Sequence, residues 1–487
     1  MGVRRAHYLL DLYHYRIYLN WMLTPKMTHV HLIGIGGSGL SAIARLLKES
    51  GYTVTGSDRT LTPFAADLQA AGVTIYIGHH PRNIQDADWI VRSSAIPDDN
   101  IEVIAAKHAN IPVYKRADFL GKLMADKTGI AVAGTHGKTT TTAMIAFLLS
   151  ELGRDPSFIV GGVLSNYGVN ARAGKGKPFV IEADEYDRMF LGLKPRIEVV
   201  TNLEHDHPDC YPTYEDMVSA FESFVALLPV DGTLIGCAED SGAAALINKA
   251  RREGRNVIAY NVQADMTINA SHWMQARSIK VNEQGGFSFE AITNVGELET
   301  AHVSLQMPGE HNVRNALAAL AVIAVLGLPL KEASAKLSYF KGTGRRFEVK
   351  GEKHGVIVID DYAHHPTEIK ATLAAARARY PQHRIWAVWQ PHTYSRTKTL
   401  LYEFTRAFKD ADEVIVTEIY PSREPKQDFS SAEVVSAMPH PSVHFIASLE
   451  ETTEYLLKHL RPNDVLLVLS AGDADQINTH VLAGLRK

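Results

Sequence analysis

Two glycine-rich loops, each lying between an apolar run and a stretch of helical periodicity, constrain this chain more than any other feature. Gly34-Ile35-Gly36-Gly37-Ser38-Gly39 closes the apolar run that begins at Val30 and precedes Leu40, Ile43, Ala44 and Leu47 at helical spacing, with Gly51 where a helix C-cap belongs. Gly134-Thr135-His136-Gly137-Lys138-Thr139 follows the run Ile130 to Ala133 and opens a helix that ends near Gly153. Strand, tight glycine turn and helix form the unit from which parallel α/β sheets are wound, and the turn presents backbone N–H groups and a helix N-terminus to anions. Two such loops predict two separate sheets and two phosphate-bearing ligands.

The chain is 487 residues long, too long for one ordinary core. The expected fold class is α/β in three domains: an N-terminal Rossmann-like domain over 27–122, a central P-loop ATPase-like domain over 123–341 and a C-terminal Rossmann-like domain over 342–487. In the first, Thr53 to Ser57 and Trp89 to Arg92 supply further strands, and Asp126 to Gly129 reads as a linker. In the second, strands at Phe179 to Glu182 and Ile197 to Thr201 precede a helix from Thr213 to Leu228, short strands over 255–307 and an Ala/Leu-rich helix from Asn315 to Leu326. In the third, Gly342-Thr343-Gly344 breaks the pattern before strands at Val356 to Asp360, Arg384 to Trp389, Glu413 to Thr417 and Asp464 to Leu469. Residues 1–26 carry Asp11, His14 and Arg16 within an apolar stretch; they are too polar to span a membrane, lack a signal-peptide pattern and read as an extension outside the fold, with Met22 or Met27 as the expected natural start.

Composition excludes several classes. The sequence is 46% hydrophobic and 21% charged with a net charge of -4, which gives no reason to expect nucleic acid as a partner, and no window suits membrane insertion. Cys210 and Cys237 are too few for a disulfide framework, so a reducing, cytoplasmic setting is expected.

The first loop satisfies G-x-G-x-x-G, with Asp58 near the end of the next strand; taken alone it fits a dinucleotide, a UDP-linked ligand or a structural turn. The second pairs Lys138 with a run of threonines, an ammonium for the β/γ phosphates and a hydroxyl for Mg²⁺, although Val132 stands where a strict Walker pattern has its first glycine. A hydride-transfer enzyme has no use for this second loop. Glu182-Ala183-Asp184-Glu185 and Thr201-Asn202-Leu203-Glu204-His205-Asp206-His207 each end a strand. In a parallel sheet both lie at the carboxyl edge beside the phosphate loop, where acidic oxygens would complete an Mg²⁺ shell with Thr139. The competing reading is a zinc site from His205, Asp206 and His207. Further on, Asp360-Asp361-Tyr362-Ala363-His364-His365-Pro366 and Gln390-Pro391-His392-Thr393-Tyr394-Ser395-Arg396 also end strands, and their His, Tyr, Asp and Arg content predicts a pocket.

Together these segments, with His311 to Ala316 (H-N-x-x-N-A) and Gly344 to Phe347 (G-R-R-F), resemble the Mur ligase family in the same order from about residue 27 to the C-terminus. The segments Asp360 to Pro366 and Gln390 to Arg396 are similar to those of the branch that adds L-alanine. The resemblance implies ATP-dependent joining of L-alanine to UDP-N-acetylmuramate through an acyl phosphate, in peptidoglycan precursor synthesis. It implies that Gly36, Gly37, Ser38, Asp58, Ser93 and Ser94 hold the UDP moiety, and that ATP meets Gly134, Thr135, His136, Gly137, Lys138, Thr139 and Thr140, with His311, Asn312 and Asn315 near the adenine and Arg345 or Arg346 approaching the phosphates. Thr139, Glu182 and His207 would hold Mg²⁺. Tyr362, His364, His392 and Arg396 would face the amino acid, and Lys138, His364 and Arg396 are the expected catalytic groups. Thr393 stands where many alanine-adding members have arginine, and Ser470-Ala471-Gly472-Asp473 replaces the more usual G-A-G-D. The rivals are an NAD-dependent oxidoreductase resting on the first loop and Asp58, a nucleotide-binding sensor without chemistry, and a relative that adds another amino acid or a peptide.

Overall fold

The computed structural model describes residues 28–262 and 270–485. The extension read over 1–26 therefore lies outside the described residues. Three sheets organise the rest.

The first contains β1 (His29–Ile33), β2 (Thr53–Asp58), β3 (Thr74–Ile77), β4 (Trp89–Arg92) and β5 (Val113–Lys115), all parallel, in the order β3-β2-β1-β4-β5. Helix α1 (Ser38–Glu49) buries Leu40, Ile43, Ala44, Leu46 and Leu47 against it, as the apolar spacing demands. Strand order reverses about β1, so the first glycine loop sits at the switch point, where an open parallel sheet binds ligands.

The second sheet has ten strands: β6 (Thr128–Ala133), β7 (Ser157–Leu164), β8 (Val169–Arg172), β9 (Pro178–Glu182), β10 (Ile197–Val200), β11 (Thr233–Cys237), β12 (Asn256–Asn261), β13 (His272–Val281), β14 (Phe287–Thr293) and β15 (Glu299–Ser304). Their order is β15-β14-β13-β12-β11-β10-β6-β9-β7-β8. The strands from β13 to β7 are parallel, and antiparallel hairpins extend both edges. Because β6 lies between β9 and β10, the second glycine loop emerges between the acidic segments that follow those two strands. Helix α2 (Lys138–Glu151) is buried nearly along its whole length, packed between this sheet and α4. Helix α3 (Tyr214–Val225) opens with the Thr213/Asp216 capping box expected of it, and α4 (Glu310–Val325) begins a turn earlier than its Ala/Leu content suggests.

One expectation needs correction. Thr128 and Gly129 are not linker but the start of β6, and a Cβ on Gly129 would meet the carbonyl of Lys194 at 2.7 Å. Gly342-Thr343-Gly344 interrupts the pattern as expected and is tied to the end of β7, since the Ser165 N–H donates to the Gly342 carbonyl and the Gly344 N–H to that of Val163.

The third sheet contains β16 (Glu348–Lys353), β17 (Val356–Asp361), β18 (Arg384–Gln390), β19 (Glu413–Val416), β20 (Val443–Phe445) and β21 (Asp464–Ser470), in the order β16-β17-β21-β18-β19-β20. Only β16 is antiparallel. Helices α5 (Pro366–Arg379) and α6 (Tyr394–Thr399) start at the carboxyl ends of β17 and β18. Among the described residues no helix is long and apolar enough to cross a membrane.

Candidate active site

A cavity of about 430 Å³ opens between the central and third sheets. His136, Gly137, Thr139 and Thr140 of the second glycine loop line it with Asn202 and Glu204 beyond β10, Asp240 beyond β11, and His311, Asn312 and Asn315 at the start of α4. Arg346, Thr367 and Glu368 close it from the third sheet. Gly137 has φ +81, and a Cβ there would lie 2.6 Å from Asn315 Oδ1, so the turn needs glycine for conformation and for space. Asn315 is thus packed on the phosphate loop, and Asn312 ties it to the Pro308 carbonyl through a chain of amide bonds.

Lys138 Nζ donates to the loop carbonyls of Gly134 and Thr135 and, at 2.8 Å, to Glu185 Oε1. Burial pushes Glu185 up to about 7 against the pull of the Lys138 ammonium, and its Oε2 has no hydrogen-bond partner. The ammonium is therefore held in place by a buried carboxylate that has no other side-chain hydrogen bond. Thr139 Oγ1 donates to Glu182 Oε1 at 3.0 Å, while Glu182 Oε2 accepts from Gly161 N–H. Hydroxyl and carboxylate oxygens side by side at a phosphate loop fit Mg²⁺. His207 Nε2 lies 3.7 Å from Glu185, the carboxylate that holds Lys138, and 3.7 Å from Asp206, so it stands beside the partner of the loop lysine. The zinc alternative fails on geometry, because the His205 ring binds the Tyr211 carbonyl and Asp206 is taken by Arg396.

Between the central and third sheets, His136 bridges Glu204 and Glu368 at 3.3 and 3.2 Å. Burial disfavours its charge, but the two carboxylates prevail and hold its pKa at about 9. His365 brings a third ligand atom to within 4.8 Å of His136 and Glu204. A proton shared with two carboxylates accounts for that cluster without an ion. His365 itself caps α5, in a capping box with Glu368.

The amino-acid candidates form a chain of contacts. The Tyr362 ring lies edge-on to His364, whose ring is 6.0 Å from that of His392, and His392 Nδ1 faces Arg396 Nη1 at 3.2 Å. Burial depresses His364 to about 3 and His392 to about 4, so both imidazoles are neutral. Arg396 donates through Nε to Asp206, and Nη2 lies 3.5 Å from His207. Of the two arginines assigned to phosphate, Arg346 lines the cavity, whereas Arg345 turns to Asp360 and the Ser470 carbonyl of its own sheet. Arg345 is therefore removed from the phosphate contacts.

At the first loop, Asp58 does not project toward a ligand: Oδ2 accepts from Gly36 N–H at 2.8 Å and Oδ1 from Arg59 N–H. Gly37 and Ser38 are exposed on the loop, Ser93 packs beside Gly34 and Ser94 is exposed next to it. Arg116, which sequence reasoning missed, crosses above Gly39 and donates to Asp184, linking the first and second sheets. Glu185, Glu204 and Glu368 were also missed as functional groups, and Asp206 was read only as a ligand of the alternative zinc site. Glu185, Glu204 and Asp206 stand inside segments singled out from the sequence, and Glu368 lies two residues beyond the one that ends at Pro366.

Models described as Mur ligase family, catalytic domain, Mur ligase middle domain and Mur ligase, glutamate ligase domain match residues 29–128, 132–323 and 345–472. A protein named UDP-N-acetylmuramate--L-alanine ligase from Roseiflexus castenholzii is 41% identical over 94% of this chain and 97% of its own length. A protein of the same name from Pelotomaculum thermopropionicum is 44% identical over 92% and 95%. Among solved structures, the UDP-N-acetylmuramate-alanine ligase of Thermotoga maritima superposes with TM-score 0.76 at 28% identity, over 93% of this chain and 98% of that one. A murein peptide ligase from Psychrobacter arcticus gives 0.68 at 28% identity, over 94% and 98%. On three matched domains and relatives of nearly equal length, the chain belongs to the Mur ligase family.

Proposed function

We propose that this protein is a cytoplasmic, ATP-dependent ligase that joins L-alanine to the lactyl carboxylate of UDP-N-acetylmuramate for peptidoglycan precursor synthesis. The observation that carries the reading is the setting of Lys138, flanked by the cavity-lining Gly137 and Thr139 and linked through Glu185 and His207 to Arg396, in a chain 41–44% identical to alanine ligases along nearly its whole length.

In this reading the triphosphate displaces Glu185 from Lys138, and the ammonium neutralises charge spreading over the transferred phosphoryl group. Thr139 and Glu182 hold Mg²⁺, which when bound supplies further positive charge to the phosphates. A lactyl carboxylate oxygen attacks the γ-phosphorus and ADP leaves. The neutral amine of L-alanine then attacks the acyl carbon, phosphate leaves, and the amine proton is lost. The Nη edge of Arg396 faces the cluster and binds the alanine carboxylate, its Nε being committed to Asp206; neutral His364 and His392 lie within that cluster, ready to accept hydrogen bonds. Thr139, Thr140, His311, Asn312 and Arg346 meet ATP, and Gly36, Gly37, Ser38, Ser93 and Ser94 meet the UDP moiety.

The oxidoreductase rival requires Asp58 to bind a ribose, yet both its oxygens are occupied by backbone N–H groups. A peptide-adding ligase is the closer rival, because a murein peptide ligase shares the fold at the same identity as the alanine ligase. Phosphate release measured with UDP-N-acetylmuramate and a panel of amino acids and peptides tests the reading: turnover with L-alanine supports it, and preference for a peptide replaces it.

A further inference from the structure

We propose that Arg188 grips the carboxylate of the UDP-linked acid and so holds it toward Lys138, a role that rests on the ligase reading above. The segment Asp184 to Met189 runs between the two glycine loops. Its two terminal residues, Asp184 and Met189, both receive Arg116, which lies over Gly39 of the first loop. Glu185, inside it, holds Lys138 of the second. A substrate bound by its diphosphate at the first loop and phosphorylated at the second must pass along this segment.

The backbone here is unusual. Asp187 (φ 55, ψ 25) and Arg188 (φ 53, ψ 30) are consecutive non-glycine residues in the left-handed region, which Asp tolerates but which disfavours a long side chain such as that of Arg188. Neighbours lock the turn in place. The Arg188 N–H donates to the Glu185 carbonyl and the Phe190 N–H to that of Asp184, while Phe190 is buried against Phe221 and Phe224. The strained turn leaves Arg188 exposed, its guanidinium 5.9 Å over the Tyr211 ring and, among the described residues, without a carboxylate or carbonyl acceptor. Arg116, Arg396 and Arg423 around the site each carry a carboxylate partner, Asp184, Asp206 and Asp209, and the first two already face other parts of the substrates. The Arg188 N–H and the Tyr211 hydroxyl both bond the carbonyl of Glu185, the residue that holds Lys138, so a planar guanidinium without an acceptor stands one residue from the Lys138 contact and fits a two-bond grip on a substrate carboxylate. The diphosphate is the other anion of the substrate, but Arg116 and the first loop already stand over its position.

Calorimetric titration of the full chain with UDP-N-acetylmuramate and with UDP-N-acetylglucosamine, which has the same diphosphate but no lactyl carboxylate, separates these roles. Glycine relaxes the left-handed turn, so Arg188→Gly should fold at least as stably as the parent, removing loss of structure as an explanation. The expected result is a ten- to hundredfold weaker affinity of Arg188→Gly for UDP-N-acetylmuramate, unchanged affinity for UDP-N-acetylglucosamine and ATP, and partial rescue in Arg188→Lys. Equal weakening for both sugars moves Arg188 to the diphosphate and overturns the proposal, as does unchanged affinity for both. If the unsubstituted protein fails to bind UDP-N-acetylmuramate, the ligase reading falls with it; if it binds and Arg188→Gly binds equally well, only the role of Arg188 falls.

Discussion

Arg396 donates through Nε to Asp206 at 2.8 Å, with both side chains at least 95% enclosed, and so joins the third sheet to the central one. A guanidinium buried against one carboxylate is costly to leave alone. Removing one partner strands a charge, with a typical cost of ~3–5 kcal/mol, whereas removing both strands none. Arg396→Ala and Asp206→Ala should therefore each lower the unfolding free energy by about that amount, and the double variant should recover a large part. A denaturant-based double-mutant cycle checks this; additive losses would mean that the two groups do not depend on each other.

Lys138→Ala is expected to abolish turnover while leaving UDP-sugar affinity within a few-fold of the parent. One ammonium aimed at a transferring phosphoryl group contributes on the order of 3 kcal/mol or more to transition-state binding. Steady-state rates and sugar titration measure the two effects separately, and near-normal turnover would remove Lys138 from the chemistry.

The contact of His136 with Glu204 and Glu368 should weaken in alkali. Its pKa is raised to about 9 from an ordinary 6.5, so the folded protein retains a proton that the unfolded chain releases. The stabilisation is then complete below about pH 6.5 and is lost as the pH rises through 9. The difference in melting temperature between the parent and His136→Gln should shrink over that window. A constant difference from pH 6 to 10 would contradict the assignment.

Glu198 in β10 is fully buried, neither carboxyl oxygen has a hydrogen-bond partner, and burial pushes its pKa well above the ordinary value despite the opposing charge of Arg255. Folding therefore favours its protonated form. Its contribution to stability falls as the pH climbs above the unfolded value of about 4.3 and levels off beyond the folded one. Glu198→Leu should stabilise the protein at pH 8 by ~1–3 kcal/mol and by less at pH 5, as read from urea denaturation. No gain at pH 8 would place an unseen partner beside this carboxyl.

Local pattern revealed the units and not their partners. Gly137 and the apolar face of α1 could be read because a left-handed turn and helical spacing leave marks within a few residues. The linker expected at Thr128 and Gly129 could not be judged locally, since what makes Gly129 a strand residue is the backbone of Lys194 packed against it. Asp58 was legible as a carboxylate at a strand end, but its turn inward onto Gly36 depends on how β1 and β2 lie side by side. Likewise, the motifs named Arg345 and Arg346 together; only the packing of β17 against β21 sends Arg345 toward Asp360 and Ser470 and leaves Arg346 to the cavity. Asp206 and Arg396 stood in motifs 190 residues apart, and nothing in either motif said that they would pair.

The most direct test of the account is phosphate release by the purified chain with ATP, Mg²⁺, UDP-N-acetylmuramate and single amino acids, with mass analysis of the sugar product. The account predicts one phosphate per UDP-N-acetylmuramoyl-alanine formed, an absolute need for the sugar acid, and L-alanine preferred over glycine, serine and tripeptides. Phosphate release that ignores the sugar acid, or a product carrying a peptide in place of alanine, would contradict it.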